Sequence, residues 1–85
     1  MLKIIGYEKI SFKDKETNED VSLYMIHTAE PFSKKNTGVG HRVAAVSCTP
    51  EKFAELKIGE LYEEEKAVEF FFRKGGKSVV GVQVY

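Results

Sequence analysis

The alternation of apolar and polar residues predicts an all-β domain: a five-stranded β-barrel in the order β-β-β-α-β-β. Three observations carry this expectation. Five segments rich in β-branched and aromatic residues show period-two alternation. The first and last pairs of these segments are joined by polar or glycine-rich turns. One clear helix start, Thr49-Pro50-Glu51, falls between the third and fourth segments.

Residues 2–13 read as the first strand. Leu2, Ile4, Ile10 and Phe12 share one parity, with Ile5 and Tyr7 on the other, and Gly6 sits where a bulge or sharp bend is common. The polar run Asp14-Lys15-Glu16-Thr17-Asn18-Glu19-Asp20 suits a turn. Residues 21–29 alternate again: Val21, Leu23 and Met25 face one way, Ser22, Tyr24 and Thr28 the other. The first two strands therefore form a hairpin. Residues 30–41, with Pro31, Asn36, Gly38 and Gly40, read as a long loop, and residues 42–48 as a third strand of small side chains.

Thr49 is the expected N-cap of a helix at about 50–57, with Pro50 at the first helical position and Glu51 near the positive end of the dipole. Phe53 and Leu56 share its packing face, and Gly59 is placed as its left-handed end. Residues 61–73 read as a long fourth strand because of Val68-Glu69-Phe70-Phe71-Phe72-Arg73. Lys74-Gly75-Gly76-Lys77 is a tight hairpin turn, and Val79 to Tyr85 the fifth strand. One short helix between the third and fourth of five strands is the OB order. An SH3-like barrel is the alternative.

The chain of 85 residues makes a single domain, 1–85, with 42% apolar and 31% charged residues, a globular composition. A chain of this length buries only about 60–65% of its unfolded surface, so small β domains of this kind often gain from pairing with a second copy. Its one cysteine, Cys48, excludes an internal disulfide and a four-thiolate zinc site. Met1 to Gly6 is too short an apolar run for a secretory signal, and no stretch approaches the roughly 20 apolar residues of a membrane span. The expected location is cytoplasmic, with no membrane partner.

No catalytic constellation is visible. His27 lies in a strand and His41 in a loop, without a nucleophile in a partner pattern. Cys48 reads as a small buried hydrophobe. Gly38-Val39-Gly40 lacks the third glycine and following helix of a dinucleotide site. Glu63-Glu64-Glu65 reads as a solvated edge. No enzyme activity, cofactor or metal is expected.

Charge is balanced, 13 basic against 13 acidic residues, but the signs are segregated. Ser33 to Arg42 holds Lys34, Lys35, His41 and Arg42 with no acid, and Arg73 to Lys77 holds Arg73, Lys74 and Lys77 with no acid. Acids gather at 14–20, 51–55 and 60–69. One basic face suffices to bind a polyanion. Single-strand binders add aromatic rings on which bases stack. Tyr7, Tyr24, Phe32, Phe71 and Tyr85 are the candidate outward rings.

The opening strand Leu2-Lys3-Ile4-Ile5-Gly6-Tyr7, the glycine-containing basic loop and the closing hairpin Phe71-Phe72-Arg73-Lys74-Gly75-Gly76-Lys77-Ser78-Val79 resemble the small single-stranded DNA-binding proteins of phages and plasmid-like mobile elements. The filamentous-phage helix-destabilising proteins share this length and a compact five-strand barrel. The resemblance implies a homodimer that binds single-stranded DNA, or RNA, with little sequence preference. Its contacts would come from Tyr24, Phe32, Lys34, Lys35, Arg42, Phe71, Arg73 and Lys74. The alternative is a protein-interaction module or accessory subunit of a replication or conjugation assembly, docking other replication proteins.

Overall fold

The two longest alternating segments become the two longest strands. In the computed structural model, which describes residues 2–31, 39–76 and 78–85, β1 (Leu2–Lys13) and β2 (Asp20–Pro31) form an antiparallel hairpin running from Lys3↔Ala29 to Lys13↔Asp20. Its turn is closed by the Asp14 amide donating to Glu19 O and the Asn18 amide to Asp14 O, with Asn18 at φ 57°. β3 (His41–Cys48) adds to β2, β4 (Ala67–Phe72) to β1, and β5 (Val79–Val84) to β4. The result is one antiparallel sheet in the order β3-β2-β1-β4-β5. The sheet is not closed into a barrel. Its two edge strands approach each other at one point, a parallel bridge between Ser47 and Ser78.

The expected bulge occurs. The β1–β2 register shifts between Ile4 and Gly6, so Ile5 is the extra residue. The consequence is a swap of parity along β1. Before the bulge Ile4 is buried opposite Thr28. Beyond it, Tyr7 opposite Ile26 and Lys9 opposite Tyr24 lie on the core side, while Glu8, Ile10 and Phe12 lie outside. This corrects the reading of Tyr24 as an outward ring. Tyr24 shares its face of β2 with the buried Ile26 and Thr28, and Val21, Leu23 and Met25 face outward.

The connection from β3 to β4 also differs from expectation. In place of one helix at about 50–57 there are two, α1 (Pro50–Glu55) and α2 (Ile58–Glu63). The predicted start holds: Thr49 Oγ1 accepts from the Lys52 amide at 3.2 Å, and Pro50 opens the first turn. The break falls at Lys57, in the left-handed conformation (φ 54°), not at Gly59, which lies inside α2. Residues 61–66 therefore leave the predicted fourth strand, which begins at Ala67. The reason is spacing. Ile58 and Leu61 lie three apart and are both buried, so a helical turn covers the sheet with two side chains where a strand would offer one.

The core is Ile4, Ile26, Cys48, Ile58, Leu61, Val68, Phe70 and Val79. Full burial of such a side chain contributes about 1.5–3 kcal/mol. The buried Thr28 hydroxyl donates to Ala44 O at 3.2 Å. Among the described residues no buried side-chain polar atom lacks a partner. No helix among them is long and apolar enough to cross a membrane.

Coverage of the long hairpin is uneven. β4 pairs with β1 only at Leu2 and Lys3, and β3 pairs with β2 only from Tyr24 to Pro31. Ile10–Lys13 and Asp20–Leu23 thus project as a two-stranded ribbon, consistent with extents of 46 × 26 × 23 Å.

Candidate nucleic-acid interface

Strand direction decides where the basic segments lie. β2 and β4 are both antiparallel to β1, so they run the same way. β3, antiparallel to β2, begins opposite Pro31 with His41 and Arg42. The β4–β5 turn lies toward the other end of β3, because Ser78, whose carbonyl accepts from the Arg73 amide, bridges Ser47. The acidic turn between β1 and β2, with Asp14, Glu16, Glu19 and Asp20, lies at the end of the hairpin away from Pro31.

The turn after β4 is built for exposure. The Arg73 amide donates to Ser78 O at 3.0 Å and the Gly76 amide to Arg73 O at 2.8 Å. Gly75 takes φ +76°, a conformation that a side chain would strain. Arg73 and Lys74 are exposed on this turn, and neither has an ion-pair partner among the described residues. Phe71, 47% exposed, lies on the outer side of β4 over Gly81, where an added Cβ would stand 3.6 Å from its ring. Phe72 is exposed on the other side of the strand, opposite Val79, where a second register shift makes Val80 of β5 the extra residue. Two open rings thus adjoin two open cations.

The other predicted contacts are placed differently. Arg42 is exposed near the start of β3 and faces Glu30 across the strand pair. Phe32, Lys34 and Lys35 lie outside the described residues. Tyr24 is in the core-side aromatic cluster and not on the basic turn. Its ring stacks on Phe53 of α1, with centroids 3.8 Å apart and planes 10° apart. Tyr7 joins Phe53 at 4.9 Å and meets Tyr62 of α2 edge-on at 5.5 Å. This cluster seats the two helices on the sheet. Gly59 belongs to it, since a Cβ there would come within 3.4 Å of the Tyr7 hydroxyl. Tyr85 donates its hydroxyl to Glu69 Oε2 at 2.5 Å, and that acid, adding to desolvation, pushes the phenol pKa up.

Phe72 and His41 were not singled out as contacts by the sequence. Phe72 shares its parity with the buried Phe70 and pairs with the buried Val79, yet as the last residue of β4 it is 45% exposed. His41 lines a depression of about 570 Å³ on the outer face of the sheet, with Lys3, Ile5, Ala29, Pro31 and Ala67. A neighbouring depression of about 510 Å³ is lined by Ile5, Gly6, His27, Thr28, Val43, Ala44 and Ala45. Both are open to solvent and lined by a mixture of aliphatic side chains, a histidine each and, in the first, Lys3. They hold no nucleophile and base in contact. No group of three or more His, Cys, Asp or Glu is arranged to hold a metal among the described residues. What the surface offers chemically is charge, exposed rings and apolar area.

The chain matches no known protein family, no curated protein and no solved structure.

Proposed function

We propose that the chain binds single-stranded nucleic acid, with DNA as the first candidate, through the β4–β5 turn that carries Arg73 and Lys74. The observation that supports this most is the exposure of both cations on that turn, without an ion-pair partner among the described residues, next to the exposed ring of Phe71. Phe71 and Phe72 supply stacking surface beside the cations, at about 1–3 kcal/mol per stacked base.

The reading includes an OB-like frame. The strand order β3-β2-β1-β4-β5, with a parallel bridge joining its edges, is compatible with a partly open five-stranded barrel. OB frames bind oligonucleotides with the face of strands two and three and the 1–2 and 4–5 loops. In this chain the 4–5 turn is basic and the 1–2 turn acidic, so the contact is shifted to the 4–5 side.

Fluorescence anisotropy with labelled oligo-dT across a salt series tests the proposal. Binding at low salt is expected, weakening steeply as salt rises because released counterions drive it. Replacing Arg73 and Lys74 by Glu is expected to weaken binding at least tenfold and flatten the salt slope. Absence of binding at low salt overturns the reading. A protein-interaction role is favoured by one separate observation, the exposed apolar side chains Ile5, Ile10, Phe12 and Val43 on the outer face of β1 and β3.

A further inference from the structure

The outer face of β4 and β5 continues the surface that Phe71 begins. Phe71 pairs with Gly81 and Glu69 with Gln83, and the Tyr85 amide donates to Ala67 O at the end of the ladder. Directly opposed residues of an antiparallel pair share a face, so Glu69, Phe71, Gly81, Gln83 and Tyr85 stand on the side away from the buried Val68 and Phe70. The Tyr85 hydroxyl reaches along a diagonal of this face to Glu69 Oε2 at 2.5 Å. The same diagonal, one repeat along the ladder, sets Gln83 beside Phe71. The stripe therefore runs ring, amide, carboxylate, ring, and all four groups are exposed.

The Glu69 carboxylate is held in place. Tyr85 occupies Oε2, which leaves Oε1 and the Gln83 amide without a hydrogen-bond partner among the described residues. An anion here repels phosphate, so the groups that suit it are neutral donors. We infer, resting on the proposed binding of a single strand at the β4–β5 turn, that Glu69 and Gln83 read the base stacked on Phe71, and that the base they select is guanine. Unpaired bases are read on their Watson–Crick edges while stacked on aromatic rings. Guanine presents there one acceptor, O6, followed by two adjacent donors, N1–H and the 2-amino group. The Gln83 amide donates to O6, and the Glu69 carboxylate accepts from both donors. Each carboxylate oxygen has two lone pairs, so Oε2 keeps capacity beside its bond from Tyr85. Thymine and cytosine set the O2 acceptor against the carboxylate, and adenine sets N1 there with no second donor, so each leaves the pair unmatched. Tyr85 is a positioning residue in this scheme: it orients the carboxylate. Arg73 and Lys74, which follow Phe71 on the turn, hold the phosphates away from Glu69.

Anisotropy with labelled oligo-dT, and with the same oligonucleotide carrying a single central deoxyguanosine or deoxyinosine, tests this. The guanine oligonucleotide is expected to bind about tenfold more tightly than oligo-dT. Deoxyinosine, which lacks only the 2-amino group, is expected to fall between them. Glu69→Gln still accepts from Tyr85 and is expected to bring the guanine oligonucleotide down to the level of oligo-dT, with oligo-dT bound at least as tightly as by the wild type. Tyr85→Phe is expected to lower the guanine preference partway and leave oligo-dT affinity unchanged. Equal binding of the guanine oligonucleotide and oligo-dT, or a preference that survives Glu69→Gln, overturns this inference and leaves the strand-binding reading standing. Absence of binding to all three oligonucleotides at low salt overturns both.

Discussion

Near Leu2 and Pro31, the β1–β2 hairpin buries Ile4, Ile26 and Thr28 beneath helices and flanking strands. Near its turn, the same hairpin leaves Ile10 and Phe12 in the open, with Val21, Leu23 and Met25 half-exposed around them. Both halves are alternating, β-branched and aromatic, and both keep a continuous ladder. They differ in what lies on their faces. The bulge at Ile5 turns the apolar side of β1 away from the helices halfway along, and β2 is apolar on both sides. Apolar content therefore says that a face needs cover, while topology says which face receives it within one chain. A lone two-stranded ribbon is marginal in water, so the open half is the least stable part of the hairpin.

Truncation on the two faces of β2 is the strongest way to break this comparison. Ile26→Ala, at a fully buried position, is expected to cost about 2–5 kcal/mol in urea unfolding. Leu23→Ala, at a half-exposed position, is expected to cost under about 1 kcal/mol. Equal costs would mean that the outer face is packed as tightly as the inner one. A smaller effect concerns the helices that cover the inner half. Thr49→Ala removes the cap on the Lys52 amide and is expected to lower stability by about 1 kcal/mol. Smaller still at neutral pH is the contribution of Cys48. Burial raises its thiol pKa above the ordinary thiol value of 9.0, so the folded state holds its proton longer than the unfolded chain. This stability is present below pH 9.0 and is lost as pH rises through the folded-state value. Urea midpoints for wild type and Cys48→Ala are therefore expected to diverge in slope above pH 9.0, with the variant losing less.

Much of this architecture was legible in the residues. The strand positions of β1, β2, β3 and β5, the Thr49-Pro50 start, the Gly75 turn and the buried Cys48 follow from alternation, capping and turn chemistry. The bulge near Gly6 was legible too, but its effect on parity was not. One inserted residue reverses every later side chain, and nothing in Glu8-Lys9-Ile10 announces which side the helices will take. The helix at Ile58–Glu63 was hidden because Leu61 and Tyr62 fit a strand as well as a helix. For the candidate site, the cations were visible as acid-free segments. That His41 and Arg42 stand apart from the turn at Arg73–Gly76 follows only from the bridge between Ser47 and Ser78, a long-range fact that no local pattern carries.

The central claim is that a single strand is held on the turn between β4 and β5. Amide chemical-shift mapping on titration with oligo-dT at low salt tests it most directly. The account predicts shifts concentrated at Phe71 to Gly76, with the amides of the acidic turn, Asp14 to Asp20, unmoved. Shifts centred on that turn or on the Tyr7–Tyr24–Phe53–Tyr62 cluster, or no shifts at all, would contradict it.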